Sequence, residues 1–428
     1  MTFEEKLTNQ EYDRIWQEYC GFLDLDLESY MKIQRRLLEE QIGLWCASPL
    51  GKKILKDRRP KSIDEFRSMV PLTTYEDYAD VLLLKKEDML PDKPIIWIQT
   101  TWEGGKHPIK VAPYTSGMLK TYKNNILTCL MMATSKVGEA LTSESAIHFC
   151  MDWRLCLYHG LIPLGLSDEL HIEFLPPVDE AVNMTFSERN KKGFKMGLGK
   201  GIDFFFGMGS VAYYVSMSIA SLSEGSKKGG SFLKKMFTMP PSMTLRYLKA
   251  KKQCEKEGRG LMPKDLFKLK GFLCAGTDNR CYKDDLEELW GIRPVEVFAG
   301  TEPVLSGQRH GTVTDLLFPD ACFYEFIPET EMYKNLDDPS YVPRAICMDE
   351  VAAGEVYEIV LTVLKGGAFA GTGWGMSTAV WDLPARRMRR GFPGLSTLTG
   401  CRILLILPGL QGFRKIPLRM LSAFRELM

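Results

Sequence analysis

The chain has 428 residues, two or three domains' worth on a loose prior. Hydrophobic residues make up 45% and charged residues 25%, the balance of an ordinary globular protein, which excludes a disordered chain, a collagen-like chain and a coiled coil. Lys+Arg totals 55 and Asp+Glu 54, so no global charge directs the chain to nucleic acid or to a membrane.

The eleven cysteines are scattered and none forms a C-x-x-C pair, the usage of reduced cytosolic thiols. The N-terminal stretch is polar and has no apolar h-region, and no run of about 18 apolar residues occurs. A soluble cytoplasmic protein is expected, with no membrane or nucleic-acid partner.

Residues 1–60 read as helical. Tyr30, Ile33, Leu37, Leu38, Ile42 and Trp45 recur at three- and four-residue spacings. In PLTTYEDY, Thr73 and Glu76 have the spacing of a capping box that opens a helix. Next come two strands joined by a glycine-containing turn, with Ile95 to Gln99 as the first apolar run and Ile109 to Ala112 in the second. Residues 117–133 are expected to be helical. GLGKG, Gly197 to Gly201, lacks a preceding strand and the rest of a dinucleotide fingerprint, and it reads as a plain turn. GSKKGGS, Gly225 to Ser231, reads as a flexible loop.

GFLCAGTD gives a strand then a turn. DDLEELWG gives a helix stopped at Gly291, and VEVFAGTE gives another strand then a turn. That rhythm predicts a parallel sheet with helices on its faces. Two further segments, TVTDLLFPDACFYEFIPE and GEVYEIVLTVLKGG, read as antiparallel strands. The fold class is α/β with an added β-rich part.

Two turns carry chemistry. Thr100, Thr101, Gly104, Gly105 and Lys106 combine hydroxyls, glycines and a cation in one strand-connected turn, a composition suited to polyphosphate or, equally, to a plain hairpin. Ala299 to Glu302 leave the end of an apolar strand. Ligands of open α/β sheets bind at that edge, and a carboxylate there can hold Mg²⁺. The five histidines have no metal-like spacing and read as surface or packing residues.

Six segments in order are similar to the auxin-responsive-promoter family of acyl-acid amido synthetases, in the adenylate-forming superfamily. They are PLTTYEDY, TTWEGGKHPIKVAPYT, CAGTDNRCYKDDLEELWG, VEVFAGTE, LFPDACFYEFIPE and GEVYEIVLTVLKGGAFA, over roughly residues 60–370. The chain resembles a bacterial-type member. Trp102 and Glu103 depart from the family, which has small residues there.

The resemblance implies a two-step ligase. ATP and a carboxylic acid give an acyl-adenylate and pyrophosphate; an amine such as an amino acid then takes the acyl group. It implies that Thr100, Thr101, Gly104, Gly105 and Lys106 hold the phosphates. It places Thr301 and Glu302 at the α-phosphate and Mg²⁺. Gly276, Thr277, Phe323 and Tyr324 would line the adenine pocket, although strand packing accounts equally well for one of the two aromatics. The rival readings are an acyl-CoA ligase, a non-catalytic nucleotide-binding remnant, and a nucleic-acid binder acting through a basic tail.

That tail begins near residue 371. From Gly371 to Met428 there are nine basic residues and two acidic, eight of the basic ones being Arg, and no Tyr, Asn or His. In the family the strand after GEVYEIVLT leads into a Tyr-Arg-x-Gly-Asp segment whose Asp grips the ribose, then a hinge and a small lid domain with a catalytic Lys. Back-translated and moved by one base, the tail can read R-V-G-D-V-Y-R-C-V-G-L from Thr372 onward. Later it can read N-I-I-D-I-A-G-F-T-R-I-S-E-N-S. A lost base after the codon for Ala370 is therefore expected. Residues 1–370 would be an incomplete adenylate-forming domain, 371–428 a non-native, poorly ordered tail, and the lid domain missing.

Overall fold

The structure is a computed structural model. It describes residues 1–101, 107, 109–134, 153–156, 161–224, 241–275, 279–300, 304–308, 315–338, 340–352, 355–382 and 402–406. The strands are β1 Pro94–Thr101, β2 Ile109–Thr115, β3 Trp153–Cys156, β4 Ile172–Leu175, β5 Phe204–Gly207, β6 Gly271–Ala275 and β7 Val295–Ala299. They continue as β8 Val304–Gln308, β9 Asp315–Leu317, β10 Cys322–Pro328, β11 Ile346–Cys347, β12 Val356–Val363, β13 Thr372–Asp382 and β14 Arg402–Ile406.

β1 and β2 form a separate antiparallel hairpin. The other strands make one sheet in the order β11-β10-β12-β13-β14-β9-β8-β7-β6-β5-β3-β4. From β4 to β7 every neighbouring pair is parallel, and from β7 to β11 every pair is antiparallel. The α/β class, the parallel block and the antiparallel β-rich part match the sequence reading.

The parallel strands are apolar on both faces because helices cover both. Phe204, Phe206, Leu273, Val295 and Val297 face one core, shared with helix Ser116–Thr134. Phe205, Phe272 and Cys274 face the other, with Trp290, Leu286, Tyr247 and Ile219 from helices Asn279–Trp290, Pro241–Glu257 and Gly209–Glu224. Adjacent residues divide between the two cores, as the strand period of two requires. Gly271 has no room for a side chain: a Cβ there would lie 2.1 Å from the Phe204 ring.

Helix Leu27–Ala47 starts at Asp26, whose Oδ1 accepts the Ser29 N–H at 2.8 Å. Its buried stripe holds Tyr30, Leu37, Leu38, Ile42 and Trp45 as expected, but Ile33 is only half-buried and two glutamines take places in the stripe. Gln34 donates to the Pro319 and Cys322 carbonyls and accepts the Tyr324 N–H. Gln41 donates to Gly367 O at 2.9 Å and accepts the Gly366 N–H at 2.8 Å. These side chains satisfy main-chain groups around the one end of the β10–β12 pair where Cys322 faces Val363.

Two expectations are corrected. The capping box is made by Thr74 and Asp77, not Thr73 and Glu76, and it opens a single 3₁₀ turn, Tyr75–Asp77. GLGKG is neither turn nor dinucleotide loop. It ends helix Phe186–Lys200, and Gly201 at φ 96° closes that helix. Its neighbour Gly193 packs against the β4 end, where a Cβ would meet Leu175 O at 2.4 Å. Of the tail, residues 371–382 and 402–406 are described, in strands. β13 pairs with β12, and β14 pairs with β13 and β9. Thr372 is buried, with the Gly371 carbonyl accepting the Thr73 N–H at 2.9 Å. The open edge of β12 can pair with any extended backbone, whatever its composition. The core of the basic tail, Ala385 to Gly391, and the loop Gly225 to Ser231 lie outside the described residues.

Among the described residues no helix is long and apolar enough to cross a membrane. Among the described residues Cys46, Cys129, Cys254, Cys281 and Cys347 form no disulfide.

Candidate active site at the strand ends

The parallel block fixes where a ligand can sit. Leu273 pairs with Val295 and Ala275 with Val297, so the carboxyl ends of β6 and β7 lie side by side. Each strand is followed in sequence by a Gly-Thr-acid segment, Gly276-Thr277-Asp278 after β6 and Gly300-Thr301-Glu302 after β7. The crevice outside such ends is the usual binding place in open α/β sheets. The topology thus brings together the strand ends from which these two segments leave. Gly276, Thr277, Thr301 and Glu302 themselves lie outside the described residues.

The hairpin pairs Thr100 with Lys110 and Thr101 with Ile109. Thr100 and Thr101 are therefore the last residues of β1, and the turn that follows leaves directly from them. Their side chains, together with Gly104, Gly105 and Lys106, lie outside the described residues. The arms of the hairpin are firmly held. The Tyr75 hydroxyl accepts the Val111 N–H at 2.7 Å and donates to the Val111 carbonyl at 3.0 Å. Lys110 Nζ lies 5.3 Å from the centre of the Tyr75 ring, and His107 Nε2 is 3.0 Å from Glu76. At the other end Thr115 Oγ1 donates to Lys365 O at 2.6 Å. Gly366, at φ 84°, leaves room for the Asp92 side chain, which a Cβ would meet at 2.6 Å.

Phe323 and Tyr324 are 1% and 0% exposed in β10. The Tyr324 hydroxyl donates to Phe318 O at 2.8 Å, and burial pushes its phenol well above the ordinary value. Both rings are core packing in this structure, and either would touch an adenine only if it were uncovered.

A buried hydroxyl cluster went unnoticed in the sequence. Thr73 Oγ1 donates to Ala370 O at 2.8 Å and lies 2.9 Å from the Tyr78 hydroxyl and 3.1 Å from Thr372 Oγ1. Tyr78 donates to Ala370 O at 2.9 Å and accepts the Ala370 N–H at 3.1 Å. The Gly371 N–H is taken by Thr362 Oγ1 at 3.0 Å. PLTTYEDY therefore does two structural jobs: Tyr75 holds the hairpin, while Thr73 and Tyr78 hold the chain where β13 begins. The signal was present as Thr73, Tyr75 and Tyr78, hydroxyl residues two and three positions apart in a polar stretch, which an apolar-period count ignores.

A groove of about 670 Å³ lies elsewhere, between helices Leu27–Ala47 and Ile63–Met69 and β11, lined by Arg35, Glu39, Lys61, Asp64, Arg67 and Cys347. β11 is seven strands from β7 in the sheet order, so this groove is not the strand-end crevice. Among the described residues one set, Cys347, Asp349 and Glu350, has metal-like proximity. Its groups are engaged. Asp349 accepts from Arg35 at 2.7 Å, Glu350 accepts the Cys347 N–H at 2.9 Å, and burial pushes the Cys347 thiol up to about 12. A protonated thiol is a poor ligand.

Residues 21–165 match the family model of the GH3 family N-terminal domain, and residues 315–367 match that of the GH3 family central domain. No curated protein matches the chain. Among solved structures, the acyl acid amido synthetase AtGH3.15 in complex with 2,4-DB aligns at TM-score 0.56 with 14% identity, over 88% of this chain and 67% of its own. A 2-hydroxyisobutyryl-CoA ligase in an open conformation, with 2-HIB-AMP and CoA, aligns at TM-score 0.52 with 13% identity, over 86% of this chain and 72% of its own. Residues 21–165 and 315–367 are thus similar to the GH3 family's N-terminal and central domains, and the chain shares its fold with these two ligases.

Proposed function

We propose that this chain is an ATP-dependent ligase that joins a carboxylic acid to an amine, such as an amino acid, through an acyl-adenylate. The observation that carries the reading is the pair of adjacent parallel strand ends, β6 and β7, each followed in sequence by a Gly-Thr-acid segment. The matches to the GH3 family's N-terminal and central domains support the chemistry.

In the first step a carboxylate oxygen attacks the α-phosphorus and pyrophosphate leaves. In the second, the amine nitrogen attacks the acyl carbon and AMP leaves with that oxygen. The protein must align a weak nucleophile and neutralise a leaving polyphosphate. Thr100, Thr101, Gly104, Gly105 and Lys106 are assigned to the phosphates, through hydroxyls, converging N–H groups and one cation. Thr301 is assigned to the α-phosphate, with Glu302 as the Mg²⁺ ligand. A hard-oxygen donor beside substrate phosphates is the donor set Mg²⁺ takes, and the ion would offset charge on the leaving group. Gly276 and Thr277 are assigned to the adenine edge, with Phe323 and Tyr324 behind them.

The composition break near residue 371 suits a one-base loss after the Ala370 codon. Residues 371–428 do not contain the Tyr-Arg-x-Gly-Asp string expected there. The proposal is accordingly that the chain as written is impaired in gripping the ribose. The experiment is pyrophosphate exchange across a carboxylic-acid panel, run on this chain and on a frame-restored one. Acid-dependent exchange, faster in the restored chain, is expected. Exchange by neither overturns the ligase reading and leaves a nucleotide-binding remnant.

A second reading is favoured by the alignment with a CoA ligase. The same adenylate would then pass to a thiol, and product analysis with amino acids against coenzyme A separates the two.

A further inference from the structure

The hairpin that leads to the phosphate turn cannot hold itself in place. It has two strands, and an isolated two-stranded hairpin is marginal in water. It does not join the large sheet. In an antiparallel ladder a residue's N–H and C=O point to the same side. Val111 turns both toward Tyr75, so they face away from β1, on the free edge of the hairpin.

One hydroxyl fills that edge. It accepts from the Val111 N–H and donates to the Val111 carbonyl, replacing both bonds a third strand would make. The same 3₁₀ turn holds two described residues beside the glycine-containing segment. Lys110 lies over the Tyr75 ring, and His107 pairs with Glu76. Tyr75 is buried, at 6% exposure, and tied into the core through Phe369 at 6.3 Å between ring centres. The Tyr75–Asp77 turn therefore forms a saddle under a hairpin that has only two strands.

We infer that Tyr75 is a positioning residue for triphosphate binding, fixing the hairpin arms from which the phosphate turn is presented. This rests on the assignment of Thr100 to Lys106 to the phosphates. Tyr75 touches no substrate; it acts through β2.

The test compares ATP with AMP. Equilibrium dissociation constants for both are measured on the full chain, unchanged and as Tyr75→Phe, which keeps the ring and removes only the hydroxyl. ATP binding should weaken about tenfold, the scale of one or two lost hydrogen bonds. AMP, which lacks the β- and γ-phosphates, should change less than about twofold on the same scale. Hydrogen exchange at the Val111 amide should accelerate in the variant. Equal loss for ATP and AMP, or no loss for ATP, overturns the inference, because a merely structural role would not separate the two nucleotides. No preference for ATP over AMP in the unchanged chain instead refutes the phosphate assignment beneath it. Should Tyr75→Phe not fold, Glu76→Gln at the exposed His107 pair provides a second variant. It should weaken ATP about threefold and leave AMP unchanged, the scale of a surface ion pair. No change there also overturns the inference.

Discussion

Removing the Tyr78 hydroxyl tests how the chain is pinned where β13 begins. Tyr78 is 0% exposed, and its hydroxyl accepts the Ala370 N–H at 3.1 Å and donates to Ala370 O at 2.9 Å. In Tyr78→Phe the carbonyl keeps Thr73 Oγ1 at 2.8 Å, but the N–H loses this partner in a dry site. One buried donor left unmade costs about 1–3 kcal/mol. Thr73→Val leaves the same carbonyl with Tyr78 alone, so each residue covers for the other. The double variant strips both side-chain donors from Ala370 O and should cost more than the sum of the singles, by about 0.5–3 kcal/mol. Urea unfolding followed by tryptophan fluorescence measures this as midpoints at constant slope. A Tyr78→Phe midpoint unchanged within error, or strictly additive variants, would refute the shared-carbonyl argument.

Other outcomes follow from the same geometry. Burial pushes the Tyr78 phenol up to about 12 from an ordinary value near 10. Its contribution is complete below about pH 10 and is lost as pH rises through about 12, by up to about 3 kcal/mol; pH-dependent unfolding should show a shallower fall in Tyr78→Phe. Arg67 Nε donates to buried Glu325 at 2.7 Å, and burial raises the Glu325 carboxyl against that pull. Arg67→Met alone should destabilise by about 3–5 kcal/mol, while Arg67→Met with Glu325→Leu should recover most of it in urea unfolding. Gly271→Ala forces a Cβ to 2.1 Å from Phe204 and should cost about 1–3 kcal/mol or more in the same assay. Glu302→Gln should slow acid-dependent pyrophosphate exchange about tenfold or more and raise the magnesium requirement.

The sequence was most legible where punctuation and period agreed. Gly291, at φ 76°, stops helix Asn279–Trp290 where the glycine predicted it. The two strand-then-turn segments became β6 and β7, because apolar runs ended by Ala-Gly-Thr have few other ways to fold. Legibility failed where polar side chains do structural work. Gln34 and Gln41 sit in a buried stripe because they satisfy main-chain groups, a long-range demand invisible to an apolar count. The Thr73-Thr74 doublet allowed two box registers, and burial against Ala370 decided between them by claiming Thr73 for the core. GLGKG misled because glycine signals a turn, whereas in helix Phe186–Lys200 Gly193 is set by close approach to β4. The adenine assignment of Phe323 and Tyr324 came from the resemblance, and the strand period could not say that both faces of β10 would be covered.

The most direct test of the ligase account is isotope transfer. A substrate acid labelled with oxygen-18 in its carboxylate is incubated with the frame-restored protein, ATP, Mg²⁺ and an amine acceptor. Attack at the α-phosphorus followed by acyl transfer carries one labelled oxygen into AMP and leaves pyrophosphate unlabelled. Label in inorganic phosphate, or AMP free of label during product formation, would contradict it.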